Sequence, residues 1–266
     1  EGLMRNVVIR CNGKGEFMVI VVINEENDLV RNVMIPELQK RFPEIISIML
    51  VINNKFNDII TDLPFENVYG EECLIETMKA PREGHDDLKF RVGPVSFFQT
   101  NVYQGERLYK AAFDLADVQG DELMYDLYTG TGTIALYFAR FVKKVVGVEY
   151  VEEAIADAKI NSEFNNINNV KFYAGDMAKV FTDEFIESNG RPDLVVTDPP
   201  RAGMHEKVVE QLLKIQPKKI VYISCNPATQ ARDLQLLDSL YEVKAVQPVD
   251  MFPHTHHVEN LVLLRL

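Results

Sequence analysis

Cysteine is scarce in this 266-residue chain, which holds only Cys11, Cys73 and Cys225 and no C-x-x-C pair. That spacing rules out a disulfide framework and supplies no cysteine set for a zinc or iron–sulfur centre, so no such cluster is expected from this chain and the thiols stay reduced. Positive charge is short as well. Lys and Arg total 28 against 40 Asp and Glu, a formal net charge of −12, which argues against a nucleic-acid partner because phosphate contacts call for a basic surface. No apolar run approaches a membrane span and no signal-peptide pattern opens the chain, so no membrane association is expected and a cytoplasmic location is the default. Two nucleotide-binding patterns are also missing: there is no G-x-x-x-x-G-K-[ST], and no third glycine in dinucleotide order. What remains is 47% hydrophobic and 26% charged, the balance of a globular chain long enough for one large domain or two of ordinary size.

The pattern changes character near residue 90, with no low-complexity linker and no internal repeat. Before it, strand-like runs at 6–10, 17–23, 45–52 and 73–78 surround one helical stretch at 29–41, an α+β module. Residues 53–58 and 79–87 read as turn-rich connections. Beyond it, apolar strand runs alternate with helical patterns at 123–127, 133–140, 144–149, 152–164, 170–174, 194–197, 206–215, 220–224 and 229–239. Such alternation signals βαβ units and a parallel sheet covered on both faces. Two last strand-like runs, 241–249 and 260–266, flank a His-rich loop, and a sheet finished by an antiparallel hairpin is the arrangement of class I methyltransferases. The expected fold is therefore α/β, a Rossmann-like sheet over residues 93–266 with a smaller α+β domain at 1–92. The opening Glu1-Gly2-Leu3, with no initiator methionine, reads as the mark of a chain cut from something longer.

Chemistry gathers at the expected carboxyl ends of the strands, where open α/β sheets bind ligands. Asp126-Leu127-Tyr128-Thr129-Gly130-Thr131-Gly132-Thr133 joins a strand to a helix, and its glycines let backbone approach a ligand. The next strand ends in Glu149, at the distance where an acid meets ribose hydroxyls, and the third is followed by Gly175-Asp176, whose carboxylate could accept from an adenine amino group. Each acid alone reads equally as a helix N-cap; three successive strand ends together favour a nucleoside, and S-adenosylmethionine fits better than NAD or ATP. Asp198-Pro199-Pro200-Arg201 follows the fourth strand. Cys225, in Ser224-Cys225-Asn226-Pro227, comes after its apolar stretch has ended and just before a turn and helix start. A lone cysteine is usually core filler, a description that suits Cys11 and Cys73 better than Cys225.

With these motifs in order, the chain resembles the RNA uridine-5-methyltransferase family, which makes 5-methyluridine in ribosomal and transfer RNA. Ser96-Phe97-Phe98-Gln99-Thr100-Asn101, the Asp126–Thr133 loop, Asp198-Pro199-Pro200-Arg201-Ala202-Gly203, Ser224-Cys225-Asn226-Pro227 and His254-Thr255-His256-His257-Val258-Glu259 carry the likeness, which covers nearly the whole chain. The family's N-terminal RNA-binding barrel and the cysteine cluster of some members are missing. The resemblance implies an RNA substrate, ribosomal favoured over transfer RNA, with no obligate protein partner. It implies Cys225 as the nucleophile that adds to uracil C6, Glu259 as the base that takes the C5 proton, and Gln99, Tyr128, Glu149 and Asp198 as S-adenosylmethionine contacts. Gly130 and Asp176 join the cofactor set from their places in the loops, and Arg201 is expected to stabilise negative charge on the uracil carbonyl.

Other readings stay open. An amino-methyltransferase would also carry a D-P-P turn but would follow it with an aromatic for stacking, where this chain has Arg201; a cytosine-5-methyltransferase would share the covalent cysteine; a cofactor-binding RNA module would need neither Cys225 nor Glu259. Of Phe97 and Phe98, one at least is expected in the core and the other could face a flipped base. The histidine cluster lacks the cysteine or spaced carboxylate that would complete a metal site, so no metal is expected. Any basic groove would draw on Lys79, Arg82, Lys89 and Arg91.

Overall fold

A computed structural model describes residues 2–266, and the chain divides into two compact units, Glu1–Thr77 with Phe90–Ser96, and Met78–Lys89 with Phe97–Leu266. In the first unit, β1 (Met4–Cys11), β2 (Phe17–Ile23), β3 (Ile45–Ile52) and β4 (Glu66–Gly70) form one sheet in that order. Strands β2 and β3 run parallel, so the chain must cross over between them, and it does so through a π-helical stretch, Val30–Met34, that runs into α1 (Ile35–Arg41). Strand β2 is an unbroken apolar run buried along nearly its whole length, as expected of a strand covered on both faces. Val19, Val21, Ile23, Val30, Ile35, Ile48 and Leu50 pack into one core there. On the edge strand β1, Arg10 reaches inward to the carbonyls of Gly93, Pro94 and Ser96 at 2.8, 3.0 and 2.6 Å and so fixes the segment that leads to Phe97. A two-stranded sheet, β5 (Leu74–Met78) and β6 (Leu88–Val92), completes this part of the chain.

The second unit opens with α2 (Val102–Ala116) and continues as β7 (Leu123–Leu127), α3 (Thr133–Ala139), β8 (Lys144–Glu149), α4 (Glu152–Phe164), β9 (Val170–Ala174), α5 (Met177–Val180), α6 (Asp183–Asn189), β10 (Leu194–Thr197), α7 (Glu206–Ile215), β11 (Lys219–Ser224), α8 (Pro227–Leu237), β12 (Glu242–Val249) and β13 (Glu259–Arg265). Its seven strands lie in the order β12-β13-β11-β10-β7-β8-β9. The five from β11 to β9 are parallel, and β13 runs antiparallel between β11 and β12. The expected α/β sheet with its closing hairpin is therefore what the chain builds. From β7 the chain moves outward to β8 and β9, and then returns to β10 on the other side; β7 and β10 flank the switch point where open sheets leave a crevice.

Helix α2 is not among the elements expected from sequence. Its buried residues, Gly105, Leu108, Tyr109, Ala112, Phe113 and Ala116, recur at three- and four-residue steps, but the stripe is thinned by glycine, alanine and tyrosine. Asn101 caps it, its side chain accepting from the Gln104 N–H at 3.2 Å. Strands β4 and β6 and the short helices α5 and α6 also lie outside the expected set; each is at most seven residues long and shows too few periods to stand out. No helix among the described residues is long and apolar enough to cross a membrane.

Candidate functional site

Strand β7 ends in a backbone that few residues tolerate. Tyr128, directly after it, lies in the left-handed region at φ 66°, a conformation that costs free energy away from glycine and gathers at functional sites. The loop is then tied down from three directions. Thr129 donates its N–H to the Val148 carbonyl at 3.0 Å and its hydroxyl to Asp126 Oδ2 at 2.5 Å, and the Gly130 N–H donates to Glu149 Oε2 at 3.0 Å. Glu149 Oε1 accepts the N–H groups of Tyr150 and Val151 at 2.8 and 3.1 Å. Backbone amides thus orient the acid expected to meet ribose, and each oxygen keeps further lone-pair capacity.

Asp126 is wholly buried, and its Oδ1 has no hydrogen-bond partner. Burial pushes its carboxyl up to about 7, against the pull of the Thr129 hydroxyl and the Ala135 N–H and with help from Glu149. Tyr128 is half-buried and its phenol is raised to about 12, chiefly by burial. Asp176 caps α5, accepting from the Ala178 N–H at 3.0 Å, and pairs with Lys179 at 3.3 Å. The Lys179 contact, then that N–H, hold its carboxyl below the usual range. Its local capping role is real, and it also lines a groove of about 830 Å³ together with Tyr128, Tyr150, Met177, Pro200 and Met204.

The other half of the site is assembled by strand register. Ser224 pairs with Asn260 in the last rung of antiparallel β11 and β13, so Cys225 and Glu259, each the residue just beyond that rung on its own segment, come to the same end of the sheet. Thirty-three residues of chain, including α8 and β12, lie between the two in sequence. Asp198 follows β10, its N–H donating to the Leu127 carbonyl at 3.3 Å, so it lies at the switch point. The directions in which these groups are shifted are consistent with their closeness. The Cys225 thiol is pushed up by burial and then by Glu259 and Asp198, opposed by Arg201 and a backbone hydrogen bond. Glu259 is raised by burial, and Asp198 lies well above the usual carboxylate range through burial, then Glu259 and Asp126. Arg201 itself is exposed.

Helix α2 supplies residues that the motifs do not reveal. Tyr109, buried in its middle, is hydrogen-bonded to Gln99, and burial followed by the charge of Asp198 raises its phenol. Gly105, one turn earlier, admits Gln99 closely: a Cβ at that position would lie 2.9 Å from Gln99 Cβ. The same helix start holds the chain running toward Glu259, since Asn101 Nδ2 donates to the Met251 carbonyl at 2.8 Å and Gln104 Nε2 to that of Asp250 at 2.7 Å. The only sequence signal for Tyr109 is its i, i+4 step from Gly105.

Of the phenylalanine pair, Phe98 is 8% exposed and Phe97 68%, so one is core and the other presents its ring to solvent. His254, His256 and His257 are exposed. Among the described residues, no group of three or more His, Cys, Asp or Glu is arranged to hold a metal ion. Within the expected basic groove, Lys79 pairs with Asp87 at 2.7 Å, Arg82 packs over the rings of Phe113 and Phe141 at 5.3 and 5.2 Å, and Arg91 Nε contacts Cys73 Sγ at 3.3 Å. Taken together, the loop side of the site gathers Asp126, Glu149 and Asp198 around glycine backbone, and of these Glu149, whose oxygens are held by backbone N–H groups, keeps acceptor capacity suited to the hydroxyls of a ligand.

Residues 83–266 match the family described as tRNA (Uracil-5-)-methyltransferase. A Bacteroides thetaiotaomicron protein named uncharacterized RNA methyltransferase is 55% identical over 269 residues, covering 100% of this chain and 58% of its own. A Porphyromonas gingivalis protein of the same name is 52% identical over 266 residues, covering 99% of this chain and 56% of its own. The chain thus spans a little over half the length of these relatives. The solved structure of Pyrococcus abyssi tRNA (uracil-54, C5)-methyltransferase in complex with S-adenosyl-L-homocysteine is 34% identical with a TM-score of 0.80, covering 99% of this chain and 60% of that one. A putative SAM-dependent methyltransferase from Streptococcus mutans, 12% identical with a TM-score of 0.60 over 98% of this chain and 71% of its own, shares the fold alone.

Proposed function

The chain belongs to the tRNA (Uracil-5-)-methyltransferase family, and from that premise we propose that it methylates C5 of a uridine in RNA, with S-adenosylmethionine as donor and Cys225 as a transient covalent nucleophile. The observation that supports this reading is the β11–β13 register, whose last rung, Ser224 with Asn260, adjoins both Cys225 and Glu259 at the end of the sheet from which the Asp198 and Gly130 loops also leave.

S-adenosylmethionine, when bound, supplies an electrophilic methyl group. Gln99, Tyr128, Gly130, Glu149, Asp176 and Asp198 would hold it, and the fit is supported by Glu149, whose backbone-held oxygens keep acceptor capacity for hydroxyls, and by Asp176 and Tyr128, which line the groove. The chain's own part in the reaction falls to three side chains. Cys225 loses its proton and its sulfur adds to uracil C6; the C5=C6 electron pair moves toward C5 and the neighbouring carbonyl, which makes C5 nucleophilic. Arg201 offers a cation to the charge that develops on that carbonyl. After C5 has taken the methyl group, Glu259 removes the C5 proton, the double bond re-forms, and the C6–sulfur bond breaks to return Cys225 as thiolate. A carboxylate in the ordinary range is a weak base at neutral pH; burial raises Glu259 toward the working pH, where general bases act best.

The motifs 97–101 and 257–259 favour ribosomal RNA. A specific observation favours transfer RNA instead: the solved structure at 34% identity is of a tRNA (uracil-54, C5)-methyltransferase. Transcripts of both kinds carrying 5-fluorouridine decide between them, because fluorine does not leave as a proton and the adduct persists. A denaturing gel and mass spectrometry should show a covalent complex through Cys225 with one class of RNA, lost on Cys225→Ala. An adduct with cytidine analogues alone would move the reading to cytosine-5 methylation, and no adduct with any RNA would reject covalent chemistry.

A further inference from the structure

The turn that carries Arg201 is held almost entirely by the helix that follows Cys225. Asn226 Nδ2 donates to the Arg201 carbonyl at 3.1 Å, and the Thr229 hydroxyl lies 3.1 Å from the same oxygen and from the Asn226 carbonyl. One turn further along α8, Arg232 Nη2 donates to the Ala202 carbonyl at 2.9 Å. The next residue, Asp233, is 1% exposed; its Oδ2 accepts the Met204 N–H at 2.8 Å and the Tyr222 hydroxyl at 2.7 Å, and its Oδ1 accepts Arg232 Nε at 2.9 Å and Nη2 at 2.6 Å. Between these anchors Gly203 sits at φ 81°, and a Cβ there would come within 2.6 Å of Arg232 Nη2 and 2.7 Å of Asp233 Oδ2. Residues 201–204 and 226–233 therefore form one hydrogen-bonded body, and Cys225 is the residue before it begins. An exposed arginine side chain has no fixed position of its own, but its carbonyl here is pinned to the residue adjoining the nucleophile.

We propose that Asn226 and Thr229 are positioning residues that, by gripping the Arg201 carbonyl, keep the Arg201 guanidinium in place to act on Cys225. The inference deepens the reading of Cys225 as a nucleophile and rests on it for its purpose, though not for its geometry. Arg201 is the one side chain whose charge opposes the rise of the Cys225 thiol, against Glu259 and Asp198. If the turn drifts, that opposition weakens and the reactive thiolate becomes rarer at a given pH. Asn226 also caps α8 through the Ala228 N–H at 3.2 Å. The test must separate the cap from the grip.

Asn226→Ser keeps a good N-cap residue and removes the amide donor, and Thr229→Val removes the hydroxyl at nearly constant shape. The double variant is compared with the unaltered protein by iodoacetamide alkylation against pH, read peptide by peptide, with exposed Cys11 as the internal standard. Alkylation of Cys225 should slow about three- to tenfold at pH 8 and its pH midpoint should move up by roughly half to one unit, while Cys11 and the melting temperature stay as they were. Arg201→Gln should slow Cys225 alike, and adding the double substitution to Arg201→Gln should slow it no further, the signature of one shared path. An unshifted midpoint in the double variant overturns the proposal. So does a shift that persists in full on the Arg201→Gln background, which would mean a general loosening of α8. Alkylation needs neither RNA nor cofactor, so a shifted midpoint in a protein that forms no 5-fluorouridine adduct would keep the grip and reject the methylation reading, and the converse pair of results would do the opposite.

Discussion

The two halves of the large sheet solve different problems. From β7 to β9, the site is made of consecutive strand ends whose loops are bound to their own neighbours: Gly130 to Glu149, Asp176 to Ala178, Glu149 to Tyr150. From β10 to β13 it is made of groups far apart in the chain, Asp198, Cys225 and Glu259, that share an environment only because β13 enters the sheet antiparallel beside β11. A binding surface for a nucleoside-like ligand can be written locally, strand by strand. The proposed nucleophile and base are brought together from segments far apart in the chain.

Substitutions that strike only one half sharpen the contrast. Cys225→Ala should lower methyl transfer into RNA by on the order of 10⁴-fold or more, as loss of a covalent nucleophile does, while S-adenosylhomocysteine still binds by calorimetry. Next in size, Glu259→Gln should cut turnover about 10²- to 10⁴-fold and differ in kind: the adduct with ordinary uridine RNA should build up on a denaturing gel, because the thiol adds but the C5 proton stays. Absence of that build-up would remove Glu259 as the base. Arg201→Lys should lower turnover by roughly tenfold, because a lysine ammonium does not reproduce the planar guanidinium, with little change in cofactor affinity; an unchanged rate would place Arg201 outside the chemistry.

Acidity adds a further test. The proposed reaction uses Glu259 as a carboxylate and Cys225 as a thiolate, and burial raises both groups. Turnover should therefore rise with pH through the neutral range, and turnover flat from about pH 6 to pH 9 would contradict a reaction that needs both a thiolate and a carboxylate raised by burial.

The smallest effect belongs to the loop half. Folding lifts Asp126 from an ordinary aspartate value of about 3.9 to about 7, so the unfolded chain gives up this proton more readily. The resulting penalty is absent below about pH 4, grows as pH rises toward 7, and is complete above it. Asp126→Asn should leave the melting temperature unchanged near pH 4 and raise it by a few degrees, about 3 °C or more, at pH 8. Equal shifts at both values would mean that Asp126 titrates elsewhere.

How legible each part was follows from the same division. Strands β7, β8, β10 and β11 are short apolar runs bounded by turn residues, and the sequence shows them at nearly their observed limits. Helix α2 went unseen because the residues it buries include Gly105 and two alanines, small groups placed where other elements come close. Tyr109 went unseen with it, since a tyrosine in a helix has no motif and gains meaning only when Gln99 and Asp198 are found beside it. Asp176 reads from sequence as either a cap or a ligand contact; it caps α5 and lines the groove at once. The basic groove expected at 79–91 takes no account of partners such as Asp87 for Lys79 and the phenylalanine rings under Arg82.

The sequence by itself determined the alternation of strand and helix, the glycine-containing loop and the acids at successive strand ends, because each depends on residues within a few positions of one another. Only the tertiary structure decided that Cys225 and Glu259 adjoin one rung of the sheet, that α2 braces Gln99, and that α8 grips the Arg201 turn. Those relations depend on register and on close approach between distant segments, which are settled by which surfaces bury together and by hydrogen bonds that no local pattern encodes.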